Sequence, residues 1–208
     1  MLKEGRKIVY VLFFICIFFW LISFAIKFFL PITIIFCVIT LLLINFFRDP
    51  VRVVKNNESI LYSPADGKVF EIVETENTWC IKIFMSLFDV HIQRSPTDGV
   101  IKKIEYKKGK FFPAGKKETD SCNEQNIIVI QNYDGENFVV TQIAGILARR
   151  IVCWVKEEEK IQQCQKLGAI LLGSQVNFEF PKNNYRLLVT KNQRVFAGIT
   201  AVALKNKQ

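Results

Sequence analysis

The chain divides into two regimes of hydrophobic patterning. Residues 8–26 form an uncharged apolar run, Lys27 interrupts it, and residues 28–47 form a second run. Each is about long enough to cross a ~30 Å hydrocarbon core as a helix. A cleaved signal peptide is disfavoured. The first run is long and bulky, and the second follows at once with no small-residue cleavage site. Two spans with almost no loop predict a tight hairpin over 1–48, with Pro31 opening the second helix. From Asp49 onward the periodicity changes. Alternating or β-rich stretches at 60–62, 70–73, 78–85, 126–131, 138–143 and 151–155 predict strands. The turn sequence Ser-Pro-x-Asp-Gly occurs at Ser63 and again at Ser95, and Asp-Gly suits a tight hairpin. Such recurrence suggests a duplicated β-hairpin layout. Residues 155–168 and 189–198 likewise read as two copies of one strand–turn–strand device. Asn192 sits at the tip of the second, where a left-handed residue is often wanted. No helix of substantial length is expected outside the hairpin. The predicted architecture is mainly β: a two-helix membrane hairpin (spans about 8–26 and 28–47), then a compact β domain over 49–208 built from duplicated hairpin, barrel-sandwich-like units.

Charge adds sidedness. Lys3, Arg6 and Lys7 precede the hairpin, and Arg48, Arg52 and Lys55 follow it. The positive-inside bias then puts both ends, and all that follows, in the cytoplasm at the inner membrane. A re-entrant hairpin gives the same sidedness. The net charge of +9 favours an anionic partner. Nucleic acid, an acidic substrate and an anionic lipid surface all fit that charge. Residues 101–117 carry Lys102, Lys103, Lys107, Lys108, Lys110, Lys116 and Lys117 against Glu105. This is either a solvated face or a patch held against an anionic leaflet. The six cysteines show no paired spacing, so free thiols are expected, with no disulfide framework and no metal site.

Candidate chemistry converges on residues 168–176. This is an apolar strand ending in a small-residue step. Gly173 has no Cβ to crowd its carbonyl, and Ser174 places a hydroxyl one residue on. That suits attack of the Ser174 Oγ on the Gly173 carbonyl if a base is near. A plain turn is the alternative. His91 is the single histidine of the chain, and its unperturbed pKa suits proton transfer near neutrality. Asp66 and Asp98 sit in the two Asp-Gly turns, and Asp89 is two residues from His91. Any of the three could orient an imidazole, completing a Ser-His-Asp set that only geometry can identify.

The ordered segments resemble the phosphatidylserine decarboxylase proenzymes of the short, membrane-hairpin type. The resemblance runs through Arg48-Asp49-Pro50, Ser63-Pro64-Ala65-Asp66-Gly67-Lys68-Val69, and the stretch from Phe84 to Pro96 with its Asp89-Val90-His91. It continues in Asn123-Glu124-Gln125-Asn126, in Gln142-Ile143-Ala144-Gly145 with Ala148-Arg149-Arg150, and in residues 168–176. It implies a self-processing, pyruvoyl-dependent enzyme in which Asp66, His91 and Ser174 act together, and it selects Asp66 over Asp98. His91 would deprotonate Ser174, Asp66 would hold His91, and Oγ would attack Gly173. Elimination and hydrolysis would leave a covalent pyruvoyl group at position 174. The products are a β chain, 1–173, and an α chain, 174–208. The pyruvoyl would form a Schiff base with the substrate amine, and His91 would protonate the carbanion left by decarboxylation. Phosphatidylserine would yield phosphatidylethanolamine and CO2, so the implied partner is that anionic membrane lipid and no nucleic acid. A homo-oligomer is compatible with all of this.

Some residues depart from the pattern. Gln175 stands where the family has Arg, Glu158 and Cys164 where it has turn glycines, and Leu172 where it has Phe. These departures motivate an alternative: an unprocessed, non-catalytic, membrane-anchored β module of the same fold. A pyruvoyl decarboxylase of a soluble amino acid fits the hairpin poorly. A phosphate-relay module with His91 as carrier leaves Gly173-Ser174 without a purpose.

Overall fold

The computed structural model describes residues 1–53, 56–113, 115, 117–146, 150–171 and 174–206. Gly173 and Leu172, together with Lys55, Lys116, Ala148 and Arg149, lie outside the described residues. The chain forms two compact units, Met1–Val51 and Arg52–Gln208.

The first unit is a helical hairpin. Helix α1 (Lys3–Ala25) and helix α2 (Leu30–Phe46) are joined by a 3-10 turn at Lys27–Phe29. Pro31 lies in the first turn of α2, where a missing N–H costs nothing. The ends close on each other through Leu2 N–H to the Phe47 carbonyl at 2.9 Å. Gly5 makes that closure feasible, because a Cβ there would lie 2.1 Å from the Phe47 ring. Phe19 stacks on Phe36 at 5.5 Å between centroids. The hydroxyls of Thr33 and Thr40 donate to the carbonyls one turn back, Phe29 and Phe36. Polar groups are thus satisfied inside the helix, as an apolar surround requires. Both helical segments are long and apolar enough to cross a membrane, and nearly all of their side chains face outward.

The second unit is built of antiparallel strands. In chain order they are β1 (Ile60–Tyr62), β2 (Gly67–Glu74), β3 (Thr78–Met85), β4 (Ile92–Arg94), β5 (Gly99–Lys107), β6 (Gln125–Gln131) and β7 (Asn137–Ala144). They continue with β8 (Arg150–Cys153), β9 (Lys160–Ile161), β10 (Lys166–Leu171), β11 (Ser174–Pro181), β12 (Tyr185–Leu187), β13 (Arg194–Val195) and β14 (Ala201–Lys205). A six-residue helix α3 (Lys117–Cys122) precedes β6. The central sheet has the order β13-β2-β3-β11-β7-β6-β5-β9, and two three-stranded sheets, β4-β10-β8 and β1-β14-β12, complete the unit.

Strand periodicity explains the core. Ile81, Ile83 and Met85 of β3, Val176, Phe178 and Phe180 of β11, Phe138 and Val140 of β7, and Ile128 and Ile130 of β6 are all fully buried. They lie two residues apart on one face of each strand. Each such side chain stabilises the fold by roughly 1.5–3 kcal/mol.

The two Ser-Pro-x-Asp-Gly turns make matching bonds. Ser63 Oγ donates to the Ala65 carbonyl and Ser95 Oγ to the Thr97 carbonyl. Asp66 accepts from the Ala197 N–H and Asp98 from the Gln163 N–H. Opposite them, four left-handed residues recur in order: Glu158 (φ 62°) and Cys164 (φ 65°), then Asn192 (φ 73°) and Gly198 (φ 68°). Asn192 adopts the expected conformation. Glu158 and Cys164 adopt it without the glycine that makes it free of strain.

Candidate active site

The step from Leu171 to Ser174 is where the chain leaves one sheet for another. β10 pairs with β4 and β8, whereas β11 pairs with β3 and β7. Ser174 is the first residue of β11, opposite Met85 on one side and Ala144 on the other. It shares a face with Val176 and Phe178, so its hydroxyl points into the core, and the residue is fully buried. The Oγ–H donates to the Met85 Sδ at 3.4 Å. A thioether is a weak acceptor, so this contact orients the hydroxyl without holding its proton strongly.

His91 lies just before β4 and is also fully buried. Its carbonyl accepts the Ile170 N–H at 3.2 Å, which sets it beside β10, three residues before Gly173. The imidazole Nδ1 lies 2.9 Å from the Asp89 carbonyl oxygen. A carbonyl can only accept, so Nδ1 carries the hydrogen and Nε2 is the basic nitrogen of the neutral ring.

The orienting oxygen is therefore the Asp89 carbonyl, where the sequence led us to expect the Asp66 carboxylate. Asp66 is committed elsewhere. Arg52 grips it with two bonds of 2.7 Å, and its Oδ1 also accepts the Ala197 N–H at 2.8 Å. The Arg52 guanidinium also donates to the Ala197 carbonyl. Arg52 thus belongs to a buried ion pair, side chains 6% and 5% exposed, and not to the lipid-facing flank of the hairpin. The turn containing Asp66 does reach His91 at one remove, because the Pro64 carbonyl accepts the Arg94 N–H of β4 at 2.9 Å. The Asp89 carboxylate is held by Ser86 and Arg194. Asp98 stays in its own turn, bonded to Gln163.

Three residues quoted above only as parts of motifs have a clear place here. Asn126 Nδ2 donates to Gln142 Oε1 at 2.9 Å, and Gln142 Nε2 donates to Gln93 Oε1 at 2.7 Å. Gln93 Nε2 then donates to the His91 carbonyl at 3.1 Å and reaches the Met85 Sδ at 3.5 Å. This amide chain is buried throughout and links β6, β7, β4 and β3 around Ser174. Gly168 makes room for it. A Cβ there would lie 2.1 Å from the Val152 carbonyl and 3.0 Å from Gln142 Nε2. The legible signal was parity: Gln142 follows Phe138 and Val140 on the core face, and Asn126 precedes Ile128 and Ile130.

Gln175 points the other way. Its amide donates to Asp120 Oδ1 at 2.6 Å and Asn177 Oδ1 at 2.8 Å, and it accepts the Gly115 N–H at 3.1 Å. Lys82 joins the cluster through Asp120 at 2.6 Å and Glu71 at 2.7 Å. Burial opposes the Lys82 charge, but these two carboxylates outweigh it and hold its pKa above the usual lysine value. Gln175 therefore anchors the segment before α3 rather than facing the Ser174 hydroxyl. Burial also pushes the Cys164 thiol up to about 11, the nearby Arg94 charge partly opposing it. Among the described residues, no group of three or more metal-ligating side chains comes together.

Comparison with known proteins identifies the family. The family model described as phosphatidylserine decarboxylase matches residues 39–203. A phosphatidylserine decarboxylase proenzyme of Carboxydothermus hydrogenoformans is 40% identical over 169 residues, 78% of this chain and 79% of the relative. One of Pelagibacter ubique is 41% identical over 170 residues, 77% and 78% of the two chains. One of Ehrlichia ruminantium is 37% identical over 210 residues, 97% of this chain and 89% of the relative. With a family model matched over most of its length and relatives of about 40% identity, the chain belongs to the phosphatidylserine decarboxylase family.

Proposed function

We propose that this protein converts phosphatidylserine to phosphatidylethanolamine and CO2 at the cytoplasmic face of the inner membrane, after cutting itself between Gly173 and Ser174. The observation that carries the reading is the position of Ser174: buried, at the head of a central strand, its hydroxyl on a weak acceptor.

In the processing reaction, the Ser174 Oγ bonds to the Gly173 carbonyl carbon as the peptide C–N bond breaks. His91 Nε2 takes the hydroxyl proton and returns a proton to the freed amine. Loss of the Ser174 α-proton expels the Gly173 carboxylate, and water replaces the resulting nitrogen, which leaves as ammonia. The α chain then begins with pyruvoyl at position 174, and the β chain ends at Gly173. Asp66 acts as a positioning residue: held by Arg52, it fixes the turn whose Pro64 carbonyl supports β4.

The residues fit such a group. Ser174 is fully buried in the uncut chain, and the amide chain of Gln93, Gln142 and Asn126 supplies a polar wall without a charge. The pyruvoyl group supplies the electron sink that a decarboxylation needs. His91 holds the proton that replaces the departing carboxyl group. The helical hairpin keeps the protein on the membrane that contains the substrate.

Intact-mass measurement of the purified protein tests the reading. Two chains are expected, the smaller blocked at its N-terminus. The Ser174→Ala chain stays whole and inactive. Recovery of the unaltered protein as one full-length mass would overturn the proposal and leave the non-catalytic module.

A further inference from the structure

The central sheet is polarised from end to end. At one end it carries the exposed acids Glu74, Glu76, Asp134 and Glu179, of which Glu74 pairs with Lys182 and Asp134 with Lys205. The other end is the Ser174 end. There Val195 pairs with Gly67, Met85 with Ser174, and Ser174 with Ala144, so β13, β2, β3, β11 and β7 all begin or finish at one level. The segments leaving that level carry large apolar side chains into solvent: Leu87 (44% exposed), Phe88 (66%), Ile146 (60%), Phe196 (43%) and Ile199 (54%).

The charges at this end are also one-sided. Lys68 and Arg150 are exposed there, as are Lys107 and Lys108 where β5 finishes opposite Gln125. Most acids of the same end are engaged: Asp66 is buried on Arg52, Asp89 is buried on Arg194, Asp120 is occupied by Lys82 and Gln175, and the partly exposed Glu105 pairs with Lys103 and Lys107, which leaves Lys68, Lys108 and Arg150 as the excess charge. Apolar tips in a basic field are what an anionic bilayer interface accepts: the rings enter the headgroup layer and the cations meet lipid phosphate and carboxylate.

We infer that these loop tips form a docking rim by which the β unit seats its Ser174 end in an anionic leaflet. The rim takes a lipid surface, not a soluble protein. The serine lipid can then reach position 174 without leaving the membrane. This last consequence rests on the decarboxylase reading; the docking itself does not.

The test uses the full chain reconstituted in vesicles of phosphatidylglycerol and phosphatidylcholine, with part of the lipid brominated in its acyl chains. Phe88→Trp is expected to add a bromine-quenched emission to that of the unaltered chain. Tyr133→Trp, in the acidic turn at the opposite end, is expected to add an unquenched one. Equal quenching at both positions, or none at position 88, overturns the rim. A second arm replaces Phe88 and Phe196 together by Ser. Turnover of long-chain phosphatidylserine in vesicles should fall by more than about tenfold, since even one large apolar side chain withdrawn from a bilayer is worth about that much, while turnover of a water-soluble short-chain phosphatidylserine is kept. An equal loss on both substrates refutes membrane seating. If the doubly replaced chain instead loses a dimer and keeps vesicle turnover, the rim is a subunit interface and the inference fails. Absence of self-cleavage or of any turnover in the unaltered chain refutes the decarboxylase reading, and the quenching result stands apart from it.

Discussion

Removing the Arg52 guanidinium with Arg52→Met isolates the buried ion pair with little change in volume. Asp66 would lose two charge-assisted bonds of 2.7 Å and keep the Ala197 N–H. The carboxylate is 5% exposed, so water cannot replace what is lost. Breaking a buried pair from one side costs about 3–5 kcal/mol, and the surviving Ala197 bond places this case near the lower end. For a domain of this size each kcal/mol moves Tm by about 2–4 °C, so a fall of about 6–12 °C is expected. Thermal unfolding of the full chain in detergent, followed by Trp79 and Trp154 emission, reads it. Arg52→Lys should recover only part, because an ammonium cannot match both oxygens in one plane. The matched turn is an internal control. Asp98 accepts the Gln163 N–H, and no cation pairs with it among the described residues, so Asp98→Asn should cost under about 1 kcal/mol. A shift below 2 °C for Arg52→Met, or one equal to that of Asp98→Asn, would refute the argument that the pair is structurally decisive.

Other outcomes follow from the same geometry. Gln142→Leu strands Asn126 Nδ2 and Gln93 Oε1 inside the core; at about 1–3 kcal/mol for each unsatisfied group, urea unfolding should show a loss of roughly 2–6 kcal/mol. Glu158→Gly removes a left-handed side chain whose ion pair to Lys102, at 3.6 Å, is exposed; stability should rise by about 0.5–1 kcal/mol, seen as a higher urea midpoint. Burial raises the Cys80 thiol to about 12, and Cys122 is exposed. At pH 8 a maleimide should label Cys122 within minutes and leave Cys80 unmodified, since the thiolate is the nucleophile. Comparable labelling of both by peptide mass would contradict the raised pKa of the half-buried Cys80.

Much of the fold was legible because it follows local periodicity. The two apolar runs are helices, and most predicted strands occur within a residue or two of their expected limits. For the candidate site, residue types can be read from the sequence and the bonds between them cannot. Ser174 and His91 were visible as a hydroxyl beside a glycine and a solitary imidazole. The partner of Asp66 was not, because Arg52 is read equally well as a charge flanking a membrane span. The Asp89 carbonyl could not be foreseen either, since a backbone oxygen leaves no mark in sequence. The amide chain depends on the register between two sheets, which local patterning does not set. The two-residue strands β9 and β13 escaped for the same reason. They are too short to show a period and exist only because β5 and β2 offer them an edge.

The placement of β11 has a further consequence. It lies inside the central sheet, paired along β3 from Ser174 to Pro181 and along β7 from Ser174 to Glu179. The proposed cut at its head would leave those ladders untouched, so the two fragments would stay clasped. Folding of the unbroken chain is unimolecular, whereas reassembly of the cut one is bimolecular and pays for bringing two chains together. Opening the sheet once after the cut would release a fragment whose return depends on concentration. The protein would then behave as a ratchet. It would assemble as one chain, and after the proposed cleavage it would be preserved by the slowness of its unfolding rather than by its ability to refold.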